Sequence, residues 1–106
     1  MSSHFASSLA AIDTFIDAIW LEEGLSKNTL AAYRRDLTLY AKWLTEQTHG
    51  LDDTVETNLQ AYFAHCHART KATSANRRLT VFKRYFRWAL RENRIAADPT
   101  LKLQSA

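Results

Sequence analysis

Residues 74–93 read SANRRLTVFKRYFRWALREN, and this stretch decides the fold because it carries apolar residues on two sides of one predicted helix. Leu79 and Phe86 belong to one stripe at helical spacing, whereas Val81 and Trp88 belong to a second. Helices that are apolar on two sides are usually packed between other helices. We therefore predict that this helix is central to a small helical fold, with only a narrow strip of its surface left for solvent or a ligand.

Three further segments, at about residues 8–23, 27–47 and 54–69, also repeat apolar residues at helical spacing. The chain has only two glycines and one proline, so few residues favour turns and the helices should be joined by short connections. No segment shows the alternating pattern of a strand. We predict an all-α fold of four helices, formed by residues 1–106 as a single domain.

Capping residues mark the predicted helix ends. Gly24 is placed to end the first helix and Ser26 to cap the second. Asp53 and Glu56 have capping-box spacing before the third, and Thr73 is expected to cap the fourth. The predicted buried stripes are Leu9, Ile12, Ile16, Ile19 and Trp20; Leu30, Tyr33, Leu37, Ala41 and Leu44; Leu59, Tyr62, Phe63 and Cys66; and Ala75, Leu79, Phe82, Phe86 and Leu90.

The charge of the chain is distributed unevenly around a net value of +3. Residues 1–70 carry five basic and nine acidic side chains, a net charge of −4. Residues 71–106 carry nine basic and two acidic side chains, a net charge of +7. This asymmetry suggests an anionic partner for the basic half, and nucleic acid is the first candidate.

Successive residues of an α-helix are rotated by about 100° around its axis. With this rotation, two of the predicted helices concentrate polar and basic residues in one sector of their circumference. No carboxylate is expected in either sector, since Glu92 and Asp36 are predicted to project elsewhere. Solvated helix faces normally mix signs, and bands of one sign repel themselves, so nucleic-acid binding is favoured over a merely solvated face. The sector of the fourth helix contains Thr73, Arg77, Thr80, Arg84, Arg87 and Arg91, and that of the second contains Lys27, Ala31, Arg34, Arg35, Thr38 and Lys42.

No catalytic or metal site is predicted. His65, Cys66 and His67 are adjacent on one helix and lack a second ligand pair, which argues against zinc. Asp52 and Asp53 are interpreted as capping residues rather than an acid pair, and no nucleophile comes with a recognisable base. The single cysteine and the absence of a signal peptide or apolar span favour a cytoplasmic protein without membrane contact. Packing roles are predicted for Tyr33, Tyr40, Tyr62 and Tyr85.

Two long strings resemble the core-binding domain of tyrosine recombinases, the phage-integrase family. They are FIDAIWLEEGLSKNTLAAYRRDLTLYAKWL, residues 15–44, and KATSANRRLTVFKRYFRWALRENRIAADPTLKL, residues 71–103. The similarity is strongest to the XerD-like branch and covers about residues 8–103. It implies a SAM-like fold, a small orthogonal four-helix bundle that forms one half of a clamp around duplex DNA, with its second and fourth helices against the major groove.

The resemblance also implies a set of DNA-binding residues and partners. The catalytic chemistry of the family belongs to a C-terminal domain that is absent here, so this chain is expected to be inactive, with no catalytic residue, cofactor or metal. The implied partners are double-stranded DNA, the chain's own catalytic domain, and a XerC-like recombinase in a heterotetramer that resolves chromosome dimers. Phe5 or Phe15 would contact a neighbouring protomer, unless these residues are buried in the hydrophobic core. The implied DNA-binding residues are Ser26, Lys27, Asn28, Arg34, Arg35, Lys71, Thr73, Ser74, Asn76, Arg77, Arg78 and Arg84.

Two other hypotheses are compatible with the residue pattern. The first is a helical protein-interaction module whose arginines bind an acidic partner. The second is a fragment that becomes ordered only beside its missing half.

Overall fold

The computed structural model describes residues 3–67 and 71–103 and contains four α-helices. They are α1 (Ser3–Glu23), α2 (Lys27–Thr45), α3 (Glu56–His67) and α4 (Ala72–Arg91), with a short 3-10 helix at Leu51–Asp53. The described residues include no strand, which confirms the prediction of an all-α fold. None of the helices among them is both long and apolar enough to cross a membrane.

The chain divides into two compact units, Met1–Leu51 and Asp52–Ala106. In the first unit, α1 packs against α2. All five stripe residues predicted on α2 are buried. On α1, Ile12, Ile16 and Ile19 are buried as predicted, but Trp20 is 47% exposed, so that prediction was wrong. Trp20 lies about 110° around the helix from the centre of the buried arc, which explains its exposure.

The turns of the first unit follow the expected capping chemistry. Gly24 adopts a φ of +62° and its N–H donates to the carbonyl of Trp20 at 3.1 Å, which ends α1 as predicted. The Ser26 hydroxyl accepts from the Thr29 N–H at 3.2 Å, confirming it as the N-cap of α2. Beyond α2, the hydroxyl of buried Ser8 accepts from the Leu51 N–H at 2.8 Å and ties the end of this unit to α1.

In the second unit, aromatic side chains join α3 to α4. The rings of Tyr62 and Phe63 lie 6.2 and 5.7 Å from that of Phe82. Both apolar sides of α4 are buried, with Val81 and Tyr85 fully enclosed, which confirms the two-sided pattern. Leu90 was predicted to be the last buried residue of the stripe, but it is 40% exposed, so that prediction was wrong. Like Trp20 on α1, it lies about 110° from the centre of its helix's buried arc.

Several predicted helix boundaries were wrong. The first helix begins at Ser3 rather than near residue 8, and the third begins at Glu56 instead of residue 54. The predicted end of the third helix, at residues 68–69, lies outside the described residues. Asp53 belongs to the 3-10 helix, and it is the Asn58 side chain that accepts from the Val55 N–H at 2.8 Å. The fourth helix begins at Ala72, a strong helix former, so its N-cap is Lys71 and not Thr73.

Asp52 was predicted to cap a helix, but it lies within the 3-10 helix, and its side chain contacts α4 and Arg94. Its carboxylate accepts a 2.6 Å hydrogen bond from the Tyr85 hydroxyl and lies 3.5 Å from the Arg94 guanidinium. That guanidinium also stacks over the Trp88 ring, with its central carbon 5.1 Å from the ring centroid. These contacts fix the start of the second unit to the end of α4.

Candidate nucleic-acid interface

The N-terminal end of α2 presents three of the predicted DNA-binding residues to solvent. Ser26, Lys27 and Asn28 are all exposed. The Ser26 hydroxyl is already used by the helix, because it accepts from the Thr29 N–H and donates to the Thr29 hydroxyl at 3.0 Å. Lys27 and Asn28 are thus the side chains here that can reach a phosphate without breaking the cap.

Arg34 and Arg35 are consecutive but occupy different surroundings. Both are exposed. The buried arc of α2 places Arg35 on the opposite, outward side of the helix, whereas Arg34 lies at the edge beside α1. There, Arg34 forms an ion pair with Asp13 of α1. The prediction that the α2 band is free of carboxylates was therefore wrong, because a carboxylate from the neighbouring helix reaches into it.

Asp36 was also misplaced by the sequence pattern. It was expected on the flank of α2, yet it is buried, only 4% exposed. Asp36 lies at the margin of the buried arc on the side away from Arg34, and the fold covers this margin whereas the margin at Arg34 stays exposed.

An open groove of about 430 Å³ runs between α1 and α2 beside this ion pair. Its floor is apolar, and its rim carries Asp17 from α1 together with Lys27 and Arg34 from α2. Trp20, exposed contrary to prediction, forms one wall. The cationic residues at this end of α2 therefore lie beside two carboxylates of α1, which moderates the local positive charge.

On α4 the predicted cationic band lies on the side away from the buried arc, its centre about 150° around the helix from the centre of that arc. Thr73, Arg87 and Arg91 are exposed, and Arg77 and Arg84 are half-buried. The band ends in a contact that was not predicted, since Arg91 Nε lies 3.3 Å from the Glu92 carboxylate. Glu92 therefore does reach the band, but only at its C-terminal end.

The other residues that were predicted to bind DNA at this helix lie outside the band and differ from it in exposure and contacts. Lys71 is exposed at the N-cap position and makes no side-chain cap hydrogen bond. Arg78 is half-buried, with its guanidinium over the Tyr62 ring at 5.8 Å, a cation–π contact that also serves packing. Ser74 and Asn76 are half-buried, and the buried Asn76 Oδ1 has no hydrogen-bond partner among the described residues. Arg78, Ser74 and Asn76 are therefore less accessible to a ligand than Thr73.

The composition of α4 sets the electrostatics of the second unit. Its twenty residues include six basic side chains and no acidic one. By contrast, α1 contains four acidic side chains and no lysine or arginine. The positive potential along α4 suits a polyanion, because no carboxylate within the helix neutralises it.

Residues considered for other roles are packed in the core or against it. Tyr33, Tyr40, Tyr62 and Tyr85 are buried, which confirms their predicted packing roles. Phe15 is also fully buried, so of the two residues suggested for protomer contacts it belongs to the core. Burial raises the pKa of the Tyr85 phenol well above its usual value, and the hydrogen bond to Asp52 and its negative charge act in the same direction, with Arg94 partly opposing them.

Comparisons with known proteins agree with this architecture. Residues 12–93 match the family model described as the phage integrase N-terminal SAM-like domain. A tyrosine recombinase XerD from Ralstonia nicotianae is 57% identical over 100 residues, covering 94% of this chain and 32% of the relative. Tyrosine recombinases XerD from Pseudomonas putida and Proteus mirabilis are 41% and 40% identical, covering 87% and 89% of this chain.

The chain spans about a third of the length of these curated relatives, since it covers 31% and 30% of the latter two. The SAM-like fold that the sequence predicted is confirmed by the family match together with the four observed helices.

Proposed function

The chain belongs to the family of phage integrase N-terminal SAM-like domains, and on that premise we propose that it is the DNA-binding domain of a site-specific tyrosine recombinase. In this proposal it forms one half of a clamp that holds duplex DNA at the recombination site. The similarity to relatives named tyrosine recombinase XerD supports a recombinase parent.

The observation that carries the proposal is the cationic band of α4. The four arginines of the band repel one another, and α4 itself contains no carboxylate that would offset this electrostatic cost. A phosphate backbone reverses this cost, because each neutralised phosphate releases condensed counterions. The outward position of Thr73 and Arg87, opposite the buried arc, leaves that side of the helix accessible to a duplex.

The proposed contacts follow from the positions of the predicted residues. We expect Lys27, Arg35 and Arg84 to bind phosphates, because each is basic and none belongs to the buried side of its helix. We propose DNA contacts for the rest of the set as well, with Arg34 and Arg78 also engaged by Asp13 and Tyr62. The other members of the set are Ser26, Asn28, Lys71, Thr73, Ser74, Asn76 and Arg77.

Activity and partners are proposed for the parent protein rather than for this chain. We propose that the chain itself is not an enzyme and that a catalytic domain elsewhere in the parent cleaves and rejoins DNA. A XerC-like recombinase would be its partner in resolving chromosome dimers, in the cytoplasm where the chromosome lies. The tyrosines of this chain are packed in its core, which agrees with a role in binding and not in nucleophilic attack.

The double change Arg77→Ala and Arg84→Ala tests the proposal. If both residues bind phosphates, the slope of log K against log salt should become shallower by about 1.8, and affinity for a duplex should fall about tenfold or more at 0.1 M salt. Fluorescence anisotropy with a labelled duplex measures both quantities. Circular dichroism should show an unchanged fold, because neither residue belongs to the apolar stripes.

A matched control removes two charges at other positions, through Lys83→Ala and Lys102→Ala. Lys83 lies beside the band on α4, and Lys102 is exposed beyond the helix. Affinity in the control should fall much less than in the test variant. Equal losses in the two variants, or none in the first, would mean that the duplex does not use this band. Stronger competition by an acidic peptide than by duplex DNA would favour the protein-interaction module instead.

A further inference from the structure

We infer that Asp13 of α1 holds Arg34 in an ion pair with which a DNA phosphate must compete, so that this carboxylate lowers the affinity of α2 for DNA. The inference rests on the proposed function, because Arg34 is one of the residues assigned to the duplex. It adds a residue of the acidic helix α1, which neither the sequence pattern nor the resemblance singled out. Asp13 would act as a negative regulator of affinity that is built into the fold.

The geometry makes the pair accessible to an incoming phosphate. The Arg34 and Asp13 side chains are 45% and 63% exposed, so neither is shielded from a ligand. They are 21 residues apart in sequence, and the pair exists because α1 packs against α2 in the folded unit. The position of Arg34 at the edge of the buried arc directs it towards α1, whereas Arg35 on the outward side lies away from that helix.

The electrostatics then determine the sign of the effect. A guanidinium nitrogen that donates to Asp13 is not available to a phosphate oxygen, and a phosphate bound to the rest of the guanidinium lies close to a like charge. Both consequences disfavour the complex relative to the free protein. Because exposed ion pairs contribute little, removing the charge of Asp13 should strengthen binding about two- to fivefold at low salt. The gain should decrease as salt screens the repulsion.

A second carboxylate of α1, that of Asp17, does not share this role. Asp17 lines the groove together with Lys27 and Arg34, but it forms no ion pair within the part of the chain that the structure describes. Its influence on a phosphate is therefore a longer-range repulsion without competition for a donor. Of Asp13 and Asp17, Asp13 is the residue whose removal changes the hydrogen bonds of a proposed DNA-binding residue.

A double-mutant cycle on duplex affinity tests the inference. The variants are Asp13→Asn, Arg34→Gln and the combination of the two, each titrated with the same labelled duplex at three salt concentrations. The control Glu46→Gln changes the net charge of the protein by the same amount as Asp13→Asn. Glu46 is the C-cap of α2, twelve residues from Arg34 or about 18 Å along the axis, farther than the Debye length of about 10 Å at 0.1 M salt.

Asp13→Asn should bind the duplex two- to fivefold more tightly than the unmodified chain, and the gain should shrink to the level of Glu46→Gln when Arg34 is already Gln. Equal effects of Asp13→Asn and Glu46→Gln would overturn the inference, since charge alone would then explain the gain. Weaker binding by Asp13→Asn would also overturn it, because Asp13 would then orient Arg34 for DNA. If the unmodified chain shows no salt-dependent affinity for duplex DNA, the proposed function itself fails.

Discussion

Replacement of Tyr85 by Phe should destabilise the second unit through the loss of a single oxygen atom. The Tyr85 side chain is fully buried, and its hydroxyl donates to the Asp52 carboxylate at 2.6 Å. Phe retains the ring, so no cavity forms. Hydrogen bonds to charged groups contribute about 1.5–3 kcal/mol, and a fully orphaned acceptor costs still more.

The expected magnitude lies at the lower end of that range. Asp52 keeps its ion pair with Arg94, and its side chain is 30% exposed, so water can replace the lost donor. We therefore expect a decrease of about 1–2 kcal/mol in the free energy of unfolding, or roughly 4–16 °C in Tm for a domain of this size. Urea denaturation followed by circular dichroism measures the difference.

The dependence on pH gives the same substitution a second, independent readout. Burial, the hydrogen bond to Asp52 and the charge of Asp52 raise the pKa of the Tyr85 phenol in the folded state above the unfolded value of about 10. The stabilisation from the protonated phenol is therefore complete below pH 10 and is lost as pH rises above it. The difference between the original chain and Tyr85→Phe should be constant from pH 7 to 9 and narrow above pH 10.

Tyr33→Phe is the matched control for this prediction. Tyr33 is also buried, but its hydroxyl forms no hydrogen bond to another described residue, so its removal should change stability by less than about 0.5 kcal/mol. Equal destabilisation by Tyr33→Phe and Tyr85→Phe would refute the reasoning from the Asp52 contact. A difference that stays the same from pH 9 to 11 would refute the assignment of the raised pKa.

Two further substitutions test other parts of the fold. Ser8→Ala removes the hydroxyl that accepts from the Leu51 N–H, which should leave a buried donor unpaired and cost about 1–3 kcal/mol in urea denaturation; an unchanged midpoint would show that the donor finds another partner. Thr48→Gly should instead stabilise the chain by about 0.5–1 kcal/mol, because a β-branched residue there adopts a φ of +61°. Asn93→Gly, at the same φ, is the control and should gain less, since Asn tolerates this conformation, and a smaller gain for Thr48→Gly than for Asn93→Gly would contradict the strain argument.

The helices were predictable wherever the apolar spacing was regular. On α2, Leu30 and Leu44 mark a stripe that is buried along its whole length. The two-sided pattern of Val81 and Phe86 likewise identified α4 as deeply buried. Periodicity works here because burial on a helix repeats with its geometry and requires no knowledge of the neighbouring element.

The predictions failed in two situations. Some apolar residues at helical spacing lie outside the buried arc of their helix, and some side chains contact residues that are far away in the sequence. Trp20 and Leu90 keep an apolar spacing but lie outside their buried arcs, about 110° from the centre of each. The contacts of Asp52 with Tyr85 and of Asp13 with Arg34 join residues that are 33 and 21 positions apart. Such long-range pairs depend on packing between elements, and a single sequence without its fold contains no local signal for them.

The salt dependence of duplex binding tests the central claim most directly. The claim is that the basic residues of α2 and α4 serve to bind a phosphate backbone. Contact with about five to eight phosphates predicts a slope of log K against log salt between about −4.5 and −7, and an affinity that falls roughly 10³- to 10⁴-fold between 50 and 200 mM salt. A slope near zero, with the domain folded by circular dichroism, would contradict the claim.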